Sequence, residues 1–183
     1  MTGEEARKAV RILAFLVVAA ALVRVLTEPM VTKIVVSKSK RTLSAYGENG
    51  RVLGVFPVAL GRQSAGAKER EGDERTPEGE YYVCFKNPES RYHLSLGLSY
   101  PNLADAGRGL ADGRISRAEY RAIAEAQAAR QIPPWRTELG GEIFIHGATD
   151  GREGTAGCIA VSNQAIEQLF PEVELGTPVV IEP

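Results

Sequence analysis

The chain has 183 residues, 44% of them hydrophobic and 25% charged, with a formal net charge of −1. That composition is typical of a globular protein with enough apolar material for one core, and one main domain is the expected count. There is no basic excess or stripe to neutralise phosphates, which excludes nucleic acid as a partner class.

Arg7, Lys8 and Arg11 precede ILAFLVVAAALV, an unbroken apolar run from Ile12 to Val23 that Arg24 interrupts. A basic stretch followed by an apolar run of this length has the form of an export signal. It falls short of the roughly 20 residues of a membrane span, although Val25 and Leu26 extend it past a snorkelling Arg24. Residues 1–28 therefore read as an apolar helix serving as a signal peptide or as a membrane anchor through residues 12–26. Either places the protein outside the cytoplasm, in the periplasm or cell envelope, the anchored form on the inner membrane. A buried core helix is the third reading, because Glu4 and Glu5 dilute the basic start.

After Pro29 the sequence turns to short, β-branched, alternating runs broken by turn residues, which predicts a mainly β domain over residues 32–183. KIVVS (33–37), RTLSAY (41–46) and RVLGVFPVAL (51–60) are the first strands, and GENG at 47–50 supplies an Asn-Gly turn. Pro57 cannot donate to a ladder, which puts the third strand at an edge or gives it a bulge. Residues 61–80 form a polar, Gly-rich loop long enough to be suspected of function. EYYVCFK (80–86), YHLSLGLS (92–99), EIFIHG (142–147) and GTPVVIE (176–182) complete the strands. A helical insertion occupies about 102–140, with Ser116 and Glu119 forming a capping box ahead of RAEYRAIAEAQAARQ. A short C-terminal helix starts near Ser162 or Asn163, presents Ile166, Leu169 and Phe170 on one face, and stops at Pro171. GLADGRISRAEY resembles a calcium loop at Asp112, Gly113 and Glu119, but Arg108 and Leu110 fall where carboxylate ligands belong, so the likeness is accidental.

HGATDGREGTAGCIAVSN (146–163) holds one of the two histidines and one of the two cysteines. A thiol with its ordinary pKa of about 8.5 is scarcely ionised at neutral pH, so a nucleophilic cysteine needs a base or positive group beside it. His146 ends an alternating strand, and the Gly-rich stretch after it can fold Cys158 back beside it. Gly147 and Gly157 leave such a site uncrowded, Gly157 lets amides turn toward an oxyanion, and Thr155 can fix the turn through its hydroxyl. The residues alone leave a second reading open: an exported chain with two cysteines invites a Cys84–Cys158 disulfide, with His146 a strand-end residue.

IHG followed by a Gly-rich loop and TAGCI resembles the signature of the L,D-transpeptidase catalytic domain (YkuD-like) family. The resemblance extends to KIVVSKSKRTLSAY, GRVLGVFPVALGR, GAKEREGDERTPEGEY, LGLSYPNLADA and the closing LGTPVVI, and so covers most of residues 32–182. It implies an L,D-transpeptidase-like β-sandwich or barrel in which Cys158 is the nucleophile and His146 its base. The Gly147 carbonyl would orient the imidazole, and the amides of Gly157 and Cys158 would form the oxyanion hole. The implied substrate is the peptidoglycan stem tetrapeptide, cut with loss of D-alanine through a thioester and joined to a second stem peptide. An L,D-carboxypeptidase, with water as acceptor, would use the same pair. A non-catalytic wall-binding module with the disulfide is the alternative outside enzymes. Where the family often carries histidine before Gly-Cys and arginine after Cys-Ile, this chain has Ala156 and Ala160, and its His–Cys interval is short. His93, Tyr100 and Arg75 are weaker candidates for substrate contact, His93 because it alternates with the leucines of its strand. No metal or cofactor is implied: the chain has neither H-x-x-E-H nor C-x-x-C spacing.

Overall fold

Strands β1 (Lys33–Ser37) and β2 (Thr42–Tyr46) pair antiparallel and turn Ile34, Val36, Leu43 and Ala45 into the core. The period of two in KIVVS and TLSAY thus becomes one buried and one outer face. The computed structural model describes residues 30–63, 65–148 and 154–183; the apolar helix expected in residues 1–28 lies outside them. Among the described residues no helix is long and apolar enough to cross a membrane.

GENG forms a single 3₁₀ turn, Glu48–Gly50, in which Asn49 (φ 57°) and Gly50 (φ 73°) take the left-handed conformation. It leads into β3 (Val52–Pro57), the outermost strand of the sheet, with Pro57 as its last residue. The remaining strands are β4 (Gly79–Ser90), β5 (His93–Leu98), β6 (Phe144–Ala148), β7 (Ile159–Ser162) and β8 (Pro178–Glu182), in the order β3-β2-β1-β8-β4-β5-β6-β7. β4 is longer than its sequence signal. Its first residues, Gly79–Tyr82, pair with β8, and from Val83 onward it pairs with β5, with an irregularity between Val83 and Phe85. One bent strand therefore belongs to both halves of the sheet. The halves curl toward each other, and just past β3 the Ala59 and Ala160 amides donate to each other's carbonyls, both at 2.9 Å. The choice between sandwich and barrel resolves as a nearly closed, barrel-like sheet around one core.

β7 has no counterpart among the expected strands; at four residues, IAVS is too short to show alternation. It lies parallel to β6, with Ile145 opposite Ile159 and His146 opposite Ala160. Three helices are described. α1 (Leu103–Ala111) is capped by a reciprocal Asn102–Asp105 box, and α2 (Arg117–Ala128) by the Ser116–Glu119 box. Ala106, Ile115, Ile123 and Leu139 form a small second core beneath them, and the calcium-loop-like stretch is the turn between α1 and α2. α3 (Asn163–Glu172) buries Ile166 and Leu169. It does not stop at Pro171: the proline sits inside the last turn, where it forfeits one donor. The turn is closed by Val173 N–H to Leu169 O (3.0 Å) and by Lys86 Nζ, which donates to the carbonyls of Phe170 (2.6 Å) and Val173 (2.7 Å).

Candidate active site

The ladders on either side of β6 set Ser95, His146 and Ala160 abreast on three neighbouring strands, facing the same side. Cys158 stands two residues before Ala160 and reaches the same face. All four line one cleft of about 770 Å³, together with Phe144, Glu142, Thr155, Ala156 and the Asn87–Tyr92 end of the β4–β5 hairpin.

The turn that carries Cys158 is held by one hydroxyl. Thr155 Oγ1 accepts from the Gly157 amide (3.0 Å) and donates to the Cys158 carbonyl (2.7 Å). Gly157 has φ 134°, and a Cβ there would lie 2.8 Å from the Arg75 carbonyl oxygen, so no other residue fits. The Gly157 amide, expected to serve an oxyanion hole, is engaged by Thr155 in this structure. The segment Leu60–Arg62, where β3 passes into the loop, braces this turn: Arg62 N–H donates to Thr155 O (3.0 Å), and Thr155 N–H donates to Leu60 O (2.8 Å).

Cys158 is half-buried, its Sγ 3.6 Å from the carbonyl oxygen of Glu142, a non-glycine residue at φ 53°. Burial pushes the thiol up, and the Phe144 amide and the charges of Lys68 and Arg91 pull partly against it. His146 is 6% exposed; its Nδ1 lies 2.6 Å from the Gly147 carbonyl, and its ring stacks on Tyr92 with centroids 4.5 Å apart. A carbonyl only accepts, so Nδ1 carries the proton and Nε2 is bare. Burial holds the imidazole below the ordinary histidine range, the Gly147 carbonyl opposes this, and Arg91 adds to the lowering. Gly147 has no room for a side chain: a Cβ would fall 2.6 Å from Asn163 Oδ1 at the start of α3. A neutral base and a half-buried thiol sharing one cleft suit proton abstraction followed by nucleophilic attack.

The weaker candidates fall elsewhere. His93 has φ 75°, which swings its side chain off the alternation to the α3 side, where Nε2 meets Glu167 at 2.7 Å. Its neighbour Tyr92 takes the cleft position instead. Tyr100 is fully buried and donates to the Leu139 carbonyl at 3.0 Å. The Arg75 side chain turns to Ala67 O and Glu69, and only its backbone touches the reactive turn. Both cysteines are free thiols; Cys84 on β4 donates to Gly97 O at 3.5 Å, and burial pushes it up to about 12. Among the described residues no three His, Cys, Asp or Glu side chains converge as a metal site would require. Sequence reasoning missed Arg91, Tyr92 and the cleft-facing role of Glu142. Of the cleft residues outside His146 and the reactive turn, Ser95 alone carries a signal, because it alternates with Leu94, Leu96 and Leu98 on its strand.

Residues 32–181 match the family model of the L,D-transpeptidase catalytic domain, YkuD. YafK of Escherichia coli K12, a provisional L,D-transpeptidase by name, is 27% identical over 142 residues, covering 75% of this chain and 45% of YafK. The crystal structure of Pgp2 from Campylobacter jejuni, described as a helical cell shape determining protein, superposes with a TM-score of 0.58 at 25% identity, over 85% of this chain and 48% of Pgp2. Bd1075 of Bdellovibrio bacteriovorus gives a TM-score of 0.55 at 23% identity, over 84% of this chain and 48% of Bd1075. The chain spans about half the length of each of these relatives.

Proposed function

The chain belongs to the L,D-transpeptidase catalytic-domain family, and from that premise we propose that it is an exported cysteine acyltransferase that cross-links peptidoglycan stem peptides. The observation that carries this reading is the single cleft shared by Cys158 and a neutral His146 whose Nδ1 is committed to Gly147. The thiol proton passes to His146 Nε2 as Sγ attacks the carbonyl of the third stem residue, a diamino acid. The oxyanion meets the Cys158 amide. The bond to the terminal D-alanine then breaks, His146 returns the proton to the departing amine, and a thioester remains. A side-chain amine of a second stem peptide attacks the thioester and gives up its proton to His146, restoring the thiol and leaving a 3–3 cross-link.

Hydrolysis of the same thioester, an L,D-carboxypeptidase activity, is a second reading, favoured by Ala156 and Ala160. Both line the cleft beside the pair and offer methyl groups where a polar contact would hold a second peptide. Intact-mass and product analysis after incubation with disaccharide tetrapeptide decides between them. A thioester adduct and a cross-linked dimer support transfer, tripeptide and free D-alanine support hydrolysis, and the absence of any adduct or product overturns both.

A further inference from the structure

The cleft floor has a direction. Glu142, just before β6, and Phe144 and His146 on it succeed one another along the cleft, and β5 runs antiparallel beside β6 with Ser95 opposite His146. The β4–β5 hairpin therefore lies beyond His146, at the end away from Glu142. Cys158 sits nearer the Glu142 end, its Sγ against the Glu142 carbonyl. From Glu142 to the hairpin the order is nucleophile, base, hairpin. In acyl transfer the base protonates the leaving nitrogen, and in a leaving amino acid the carboxylate carbon is only two bonds further on. Whatever stands just past His146 therefore decides whether the leaving group is one residue or a longer chain.

Among the described residues, what stands there is a wall of donors. Arg91 lies on the Tyr92 ring, its Cζ 4.7 Å from the centroid, and Tyr92 in turn stacks on His146. Ser90 Oγ accepts from the Tyr92 amide (3.1 Å) and keeps its own proton to donate. Asn87 Oδ1 accepts from the Glu89 amide (2.9 Å) and keeps its NH₂ to donate. Both line the cleft with Arg91, and Ser95, 4% exposed, lies on the floor beside His146. Among the described residues the other cleft guanidinium, Arg62, is ion-paired with Glu74.

Building on the acyl-transfer reading above, we propose that Arg91, assisted by Ser90 and Asn87, is the subsite for the free α-carboxylate of the leaving residue and restricts the enzyme to removing a single terminal amino acid. The planar guanidinium suits two-point recognition of a carboxylate, and stacking on Tyr92 holds it oriented before substrate arrives. Lysine at this place keeps the charge and loses the fork.

The test compares full-length wild type, R91K and R91Q on the stem tetrapeptide ending in D-alanine and on the same peptide ending in the carboxamide, with kcat and KM separated. Wild type is expected to favour the acid about 10- to 100-fold in kcat/KM, chiefly through KM, the size of a charge-assisted contact. The acid-to-amide ratio should fall to near one in R91Q and to an intermediate value in R91K. Equal handling of acid and amide by wild type, or a preference that survives in R91Q, overturns the proposal and leaves the acyl-transfer reading standing. Turnover of neither peptide by wild type sinks that reading instead. Calorimetric binding of both peptides to C158A, with and without R91Q, then still tests the subsite: a preference for the acid that R91Q removes supports it, and equal affinities overturn it.

Discussion

In the proposed role of base His146 must be neutral, and burial keeps it neutral to lower pH than an exposed histidine. Because the shift is downward, the acid limb of kcat/KM should fall below the ordinary value of about 6.5, and a pH–rate profile checks this directly. C158A should abolish thioester formation and H146A should reduce it about 10²- to 10⁴-fold. Thr155 concentrates the turn's geometry in one oxygen. T155V should cost about 1–3 kcal/mol for two lost hydrogen bonds and slow acylation, whereas T155S should restore both. Chemical denaturation and adduct kinetics report the two effects separately.

The loop behind the reactive turn is an element organised by one carboxylate. Asp73 accepts from Lys68 Nζ (2.8 Å) and from the amides of Glu69 (2.8 Å), Arg70 (3.1 Å) and Arg75 (3.1 Å). Burial raises its pKa, but the Lys68 bond and the three amides outweigh this and leave it lowered. A lowered carboxylate stabilises the fold above its unfolded value of about 3.9, and that stability is lost as pH falls through the folded value. Amide exchange in residues 65–76 should therefore accelerate in acid below about pH 4 while the β1–β2 ladder stays protected, and D73N should show fast exchange already at neutral pH. At this scale most strands and α2 are legible in the sequence, because alternation and the Ser116 box are local signals. α1 is not read as a separate helix: its cap is Asn102 with Asp105 rather than the serine-glutamate pattern. β7 is too short to alternate, and the cleft wall depends on one backbone rotation at His93 that exchanges its place with Tyr92. His146 and Cys158 stand out because each is one of only two of its kind and both border glycine.

For the whole molecule, the described fold begins at Val31, which is 5% exposed, bridges Val173 and donates to Glu172 O at 3.0 Å. A chain beginning at Met30 should fold and form the thioester, whereas one beginning at Lys33 should lose the roughly 1.5–3 kcal/mol of a buried valine, measured as a lower denaturation midpoint. The sheet's closure has its own consequence. Beyond β3 the curl is clasped by four backbone hydrogen bonds, the reciprocal pair at Ala59 and Ala160 and the two that join Leu60 and Arg62 to Thr155, and Ala160 is two residues from Cys158 and opposite His146. The closure works as a buckle: if it breathes, sulfur and imidazole lose their common footing before the core melts. A59P, which removes one donor of the Ala59–Ala160 pair, should cut the acylation rate by a larger factor than its effect on global stability accounts for, and should quicken exchange at the Ala160 amide. The precision of the reactive pair is then a mechanical property of where the sheet meets itself.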